Sequence, residues 1–239
     1  MAESPNYGTP NYEMIKGWFS LTPEQDPPFW AINLMKYRAV AAYADGRETT
    51  RSGRDADDEY TPFGPLKAIG AMVAFAGDVT DQTGSDPAWD RVGIVRYPSR
   101  SAFIAMQQRE DFKGKHVHKE AGMEFTIVMS CSPVWCSEGE VPAGGSYIVR
   151  VTRFADGALT PAGSSSSDPE GVRPIARFNV EGVIVGDERR WDEVRFDWVD
   201  DTALAAITAS DAAAEQFTMT LRVFLDNLVS SVADAPQVG

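Results

Sequence analysis

The sequence predicts an α+β chain made of one strand-and-helix unit written twice, each running β-α-β-β-α-β, and three observations carry that prediction. First, the segment Tyr147 to Phe154 echoes Trp30 to Tyr37, and Trp191-Asp192-Glu193-Val194 echoes Trp89-Asp90-Arg91-Val92. Between each pair lies a small-residue run ending in Gly-Asp, at Gly77-Asp78 and at Gly186-Asp187. Second, 239 residues suit two units of about 100 residues each. Third, a composition 43% hydrophobic and 10% aromatic is enough to fill a core in both.

The elements follow in order. Residues 1–28 carry Pro5, Pro10, Pro23, Pro27 and Pro28 around one apolar cluster, Met14, Ile15, Trp18 and Phe19, whose spacing predicts a short amphipathic helix in an N-terminal arm. The first unit occupies 29–132. Phe29 to Tyr37 has no breaker and reads as a strand. Asp45-Gly46 marks a turn in a polar loop that leads to a helix over Asp55 to Ile69, interrupted by Pro62 and Pro65. Met72 to Ala76 and Trp89 to Tyr97 read as strands. Ser99 is placed to cap a helix through Phe103, Ile104 and Met106, further helical turns span Asp111 to Ala121, and Phe125 to Ser130 closes the unit. Residues 133–145, ending in Gly144-Gly145, form a linker. The second unit, 146–233, repeats the order with strands at Tyr147 to Phe154, Val180 to Val185 and Trp191 to Val199, and a helix from Asp200 onward. Its first connection holds the low-complexity run Ser164 to Ser167 between Pro161 and Pro169. Continuing the Trp89–Trp191 spacing places a helix at Ala212 to Asp226 and the last strand at Leu228 to Val232. Aligning Phe217-Thr218 with Phe125-Thr126 would instead make that region strand; the first alignment needs no further gap and is preferred. Residues 234–239 are a tail.

Charge and motifs exclude several function classes. The formal charge of −13 comes without the clustered Lys and Arg that a phosphate backbone requires, which argues against nucleic acid. No apolar run approaches the roughly 20 residues of a membrane helix. Met1 to Asn6 lacks the basic and apolar regions of a signal peptide, so the expectation is a cytoplasmic chain with Cys131 and Cys136 reduced. There is no dinucleotide fingerprint, phosphate loop, nucleophile elbow or His-Glu-x-x-His, and no metal is expected.

Alternation along the strands separates an apolar face from a mixed one. Val92 and Ile94, Val194 and Phe196, Ile32 and Leu34, and Val149 and Val151 form the apolar face, expected to lie against the helices. The mixed face carries Asn33, Met35, Tyr37, Trp89, Arg91, Gly93 and Tyr97 in one unit, and Arg150, Thr152, Phe154, Trp191, Glu193, Arg195 and Asp197 in the other. Large aromatics beside single polar groups suit a pocket better than open surface. The expectation is that the two mixed faces cover each other and enclose it.

Asn33-Leu34-Met35-Lys36-Tyr37, Trp89-Asp90, and Arg96-Tyr97-Pro98-Ser99-Arg100-Ser101-Ala102-Phe103 resemble the dimeric α/β-barrel superfamily, in particular its small domain-of-unknown-function branch, over about residues 29–132. That resemblance implies two tandem ferredoxin-like modules whose antiparallel sheets pack into a fused, pseudo-dimeric α/β barrel. A His in the branch's next helix is matched by His118, whereas Thr220 stands there in the second unit. In size and organisation the whole chain is similar to ring-opening oxygenases of angucycline pathways and to antibiotic-biosynthesis monooxygenases. This implies oxygenation of a polycyclic quinone or phenol, with oxidative C–C bond cleavage that opens a ring in antibiotic biosynthesis, using O2 and either a diffusible reduced flavin (FADH2 or FMNH2) supplied by a flavin reductase or the reduced substrate itself, in a monomer or homodimer.

The candidate residues follow. His118 would be the general base, unless it is a surface histidine of a charged helix beside Lys115, Lys119 and Glu120, with His116 exposed. Asn33 and Arg150, on matched positions, would hold a carbonyl or oxyanion, unless they are buried polar groups satisfied across the barrel. Met35, Tyr37, Trp89, Arg91, Tyr97, Phe154 and Arg195 would line the substrate, although packing is the safer reading for Trp89 and Trp191. Rival functions are a cofactor-free polyketide cyclase or isomerase on the same scaffold, and a non-catalytic binding protein for a small ligand.

Overall fold

The computed structural model describes residues 6–138, 141–142, 144–155, 170–204, 207 and 213–234. A short strand β1 (Thr9–Pro10) and helix α1 (Tyr12–Trp18) precede β2 (Phe29–Tyr37). Then follow α2 (Gly53–Tyr60), α3 (Phe63–Ala68), β3 (Met72–Gly84), β4 (Arg91–Tyr97), α4 (Arg100–Gln107), α5 (Glu110–Gly122) and β5 (Met123–Cys136). The second half contributes β6 (Ser146–Phe154), β7 (Val172–Gly186), β8 (Glu193–Val199), β9 (Ala213–Asp226) and α6 (Leu228–Ala233). Among these, Ser99 caps α4 by accepting from the Ala102 N–H at 3.0 Å, and Pro62 separates α2 from α3 as its fixed φ and missing N–H require.

The fold is α+β, with few helices around a closed antiparallel barrel of eight strands. Within the first half the strands lie in the order β5-β2-β4-β3, and within the second in the order β7-β8-β6-β9. The halves are hydrogen-bonded edge to edge along two seams, β5 with β7 and β3 with β9, and the β7–β8 pairing completes the circle. Closure leaves none of the eight with an open edge, and register shifts in the long strands β3, β5 and β7 provide the bends it needs.

Closure also settles which face is inside, and here the structure corrects the expectation. The apolar faces point into the barrel and not toward the helices: Ile32, Leu34, Val92, Ile94, Val149, Val151, Val194 and Phe196 are all fully buried in one cluster. Phe178, Phe217, Met219 and Met129 complete that filling. An eight-stranded barrel is just wide enough for side chains to fill, so the space expected to be a pocket is a packed core. Each aromatic there is worth about 3–5 kcal/mol against truncation to Ala.

The Trp-Asp repeat has the same structural cause in both halves. Asp90 accepts the Tyr37 N–H at 2.7 Å while its own N–H donates to Met35 O, and Asp192 accepts the Phe154 N–H at 2.8 Å while donating to Thr152 O. Trp89 and Trp191 both enter the barrel interior, on either side of Phe217, with ring centroids 5.7 and 4.7 Å away. The Gly-Asp match is a coincidence: Gly77 lies opposite Val92, whereas Phe178 lies opposite Val194, leaving Gly186 at the far end of β7.

Two further expectations change. Ala213 to Asp226 is strand and Leu228 to Ala233 helix, the reverse of the preferred alignment, because β9 is needed to bridge β3 and β6. The described residues after Asp200 form a turn rather than a helix. The run Ser164 to Ser167 and most of the C-terminal tail lie outside the described residues. No helix among the described residues is long and apolar enough to cross a membrane.

Candidate functional site

The mixed face of the first half does border a cavity, of about 230 Å³, between the outward side of that sheet and helices α2 to α5. Its floor is Ala31, Asn33 and Met35 of β2 with Arg91, Gly93, Val95 and Tyr97 of β4. Its roof is Leu66 of α3, Phe103 and Met106 of α4, and Phe112, His116 and Lys119 of α5. Phe224 and Leu225 of β9 and Ile184 and Val185 of β7 bring the second half to its edge.

Glycine makes this geometry possible at two places. A Cβ on Gly93 would meet Met35 Cε at 3.0 Å, so the missing side chain is part of the free space. At the α2–α5 crossing, a Cβ on Gly53 would stand 2.3 Å from Gly122 O and one on Gly122 2.3 Å from Gly53 O. Only two glycines let the helices approach that closely, and the approach seats Asp57 and Tyr60 over the cavity.

Polar groups gather among these aromatics. His116 Nε2 lies 3.1 Å from the Tyr7 hydroxyl, and its buried Nδ1 has no hydrogen-bond partner. Burial, and then the nearby Lys119 charge, lower the His116 pKa to about 4, so the imidazole is neutral at pH 7. Burial and the Glu120 and Asp57 charges push the Tyr7 phenol up, which keeps it protonated. Asp57 accepts a 2.6 Å hydrogen bond from Tyr37 and lies 3.9 Å from Arg91. Burial raises its pKa, against the pull of Lys119. Arg91 is anchored by Asp78 at 2.9 Å and Asp58 at 2.6 Å, with its guanidinium 4.9 Å from the Phe224 ring centre. Asn33 Nδ2 donates to Ala31 O at 3.0 Å.

Of the residues singled out from the sequence, Asn33, Met35, Arg91 and Tyr97 line this cavity, and Tyr37 stands behind Asp57. The others are elsewhere. Trp89 stacks on Phe125 in the barrel interior. Arg150, Phe154 and Arg195 belong to the second half, and β2 and β6 lie on opposite sides of the barrel, so Asn33 and Arg150 do not face one another. Arg150 and Arg195 instead clamp the fully buried Asp197, at 2.5 and 2.8 Å. His118 points away from the cavity, its Nδ1 2.9 Å from Tyr43 Oη and its Nε2 3.3 Å from Glu59.

His116, Lys119, Asp57 and Tyr7 were missed. One signal was available: Phe112, His116 and Lys119 stand at i, i+4 and i+7 of a helix and so share one face. Tyr7 and Asp57 had none, since only the fold carries them there.

No protein-family model matches the chain, and no curated protein matches it. Among solved structures it is similar to methylated RPA0582 (26% identity, TM-score 0.47, covering 57% of this chain and 99% of that one), a protein of unknown function from Rhodopseudomonas palustris. It is also similar to a candidate monooxygenase from Fusobacterium nucleatum (12% identity, TM-score 0.44, 82% and 92% covered). A chlorite dismutase variant from Candidatus Nitrospira defluvii is a third such structure (10% identity, TM-score 0.46, 86% and 96% covered). Likeness at this level says nothing of reaction or ligand.

Proposed function

We propose that the chain is an enzyme, an oxygenase of a small phenolic or enolic substrate bound in the cavity under α4 and α5, in which the Tyr7–His116 pair takes up the substrate's acidic proton. The observation that carries this reading is a neutral imidazole at the cavity wall, hydrogen-bonded to a protonated phenol. The Tyr7 hydroxyl receives the proton as it passes its own to His116 Nε2, a positioned acid–base step of the kind that contributes about 10²–10⁴ in rate. Asn33 and Arg91 orient the substrate's oxygens, and Tyr97 and Phe103 hold its ring plane. The anion so formed supplies the electrons for reaction with O2: a C–O bond forms at a ring carbon that carries hydrogen, the O–O bond breaks, one oxygen stays as a quinone carbonyl and the other leaves as water with the phenolic hydrogen and that carbon's hydrogen.

The volume speaks for one or two rings and against a larger polyketide skeleton, since an apolar cavity near 150 Å³ takes a single benzene ring and drug-sized sites start near 300 Å³. The same limit applies to flavin, whose three fused rings do not fit alongside a substrate in about 230 Å³. The proposed reaction uses neither flavin nor a reductase. Two tandem ferredoxin-like modules are the reading of the architecture we favour, supported by the same strand order in both halves and by the matched Asp90 and Asp192 bonds. That the second half edges the pocket, through Phe224, Leu225, Ile184 and Val185, supports a site completed within one chain.

The test is O2 uptake with one- and two-ring hydroquinones and phenols, above their autoxidation rate, in wild-type and His116→Ala protein. Uptake that needs His116 is expected; turnover at an equal rate without O2 would instead favour a cofactor-free cyclase or isomerase, which uses the same proton step.

A further inference from the structure

The proton-transfer scheme leaves one buried nucleophile unused. Lys119 lies three residues after His116, so both side chains share the helix face that roofs the cavity. It is 8% exposed and makes no salt bridge among the described residues. Its Nζ stands 5.5 Å from the Tyr7 ring centre and 5.3 Å from that of Tyr60. The carboxylate that acts on it from a distance, Asp57, is engaged by Tyr37 and Arg91. The surrounding wall is apolar: Phe112, Met106 and Leu66. Two ring faces and a carboxylate at a distance stand in for the solvent or the paired acid that a buried ammonium usually reaches, a weaker compensation for burial.

We propose that Lys119 is a carbonyl-reactive amine, which condenses with an aldehyde or ketone group of a ligand in the cavity to form a Schiff base. Burial lowers its pKa, opposed by the Asp57 charge, which enlarges the share of free amine at neutral pH. The amine nitrogen attacks the carbonyl carbon, a C–N bond forms, and the carbonyl oxygen leaves as water after taking up two protons, one of them from the nitrogen. The product is a protonated imine, and a proton on its neighbouring carbon is then acidic enough for the Tyr7–His116 pair to remove, leaving an enamine. No electrons enter or leave. The inference rests on the reading of this cavity as a substrate site and extends its substrates to carbonyl compounds.

Reductive trapping tests it on the full chain. Benzaldehyde, which suits the cavity volume, is incubated with the protein and cyanoborohydride at pH 7, and modified peptides are quantified by mass spectrometry. Lys119 should be labelled about tenfold or more faster than the exposed Lys113, because a buried free amine inside the cavity meets the aldehyde where it binds. Labelling of Lys119 no faster than that of Lys113 in the wild-type protein would overturn the proposal, whatever any variant does. The label needs neither O2 nor turnover, so its absence and a failure of the proton-transfer reading are distinguishable. Lys119→Arg, which retains the cation, should lose the fast label with an unchanged circular-dichroism spectrum; persistence of a fast benzaldehyde adduct at another residue of the cavity would also count against Lys119.

Discussion

The outward faces of the two half-sheets occupy matched positions and do opposite things. Asn33 pairs with Gly93 across β2 and β4, and Arg150 pairs with Arg195 across β6 and β8; Ala31 opposes Val95 as Ile148 opposes Asp197. On the first face these residues are small or neutral, four helices cover them, and space is left between. On the second, the same places hold arginines and a carboxylate that neutralise one another, with Arg177 and Glu193 extending the row 3.7 Å apart. A strand order shared by two halves therefore does not imply two sites. Side-chain volume and charge at three or four positions decide whether the face borders a cavity or, among the described residues, spends its polar groups on itself.

The strongest way to break this comparison is to disable each face in turn. His116→Ala or Tyr7→Phe should lower turnover by about 10²–10⁴-fold, whereas Arg195→Ala should leave it within about twofold; steady-state O2 uptake on both decides, and the reverse pattern would move the site to the second half. Removing the centre of the charged row should cost stability and not activity. Asp197→Ala leaves two arginines without their buried partner and should lower unfolding free energy by about 3–5 kcal/mol, measured by urea denaturation.

The acid limb of stability sharpens the contrast next. The His116 pKa is about 4 in the folded chain against 6.5 unfolded, so the unfolded state binds more protons between these values. That group's contribution is fully present above pH 6.5 and is lost as the pH falls toward 4, up to about 3 kcal/mol. His116→Gln should flatten the limb in denaturation curves taken across this window. The smallest effect is expected from Gly93→Leu, which imports bulk to the first face. Met35 is flexible enough to give way, so the cost should be about 1–3 kcal/mol, while fluorescence titration should show that the cavity no longer takes a one-ring ligand.

Much of the first half was legible. Ser99 as a cap, the break at Pro62, and strands at 29–37 and around 91–97 all follow from local chemistry, which acts within a few residues. The end of the chain was not. Phe217, Met219 and Leu221 alternate as a strand should, whereas the gap-free alignment makes this region helix; loops change length more readily than strands change register. The resemblance points to His118, whereas Phe112, His116 and Lys119, recurring at i, i+4 and i+7, mark the helix face that roofs the cavity. Tyr7, more than a hundred residues away from His116 along the chain, could not have been read from any local pattern.

What the sequence alone determined is periodicity: which residues share a face, where strands stop, and that Trp-Asp recurs to tie a strand end to its neighbour. Which face turns inward was a matter for the tertiary structure. Alternation is symmetric with respect to the two sides of a strand, and only closure of eight strands creates an interior that large apolar side chains must fill. That filling sent the mixed face outward, where helices over one half enclose a cavity and, among the described residues, charges over the other pair with one another.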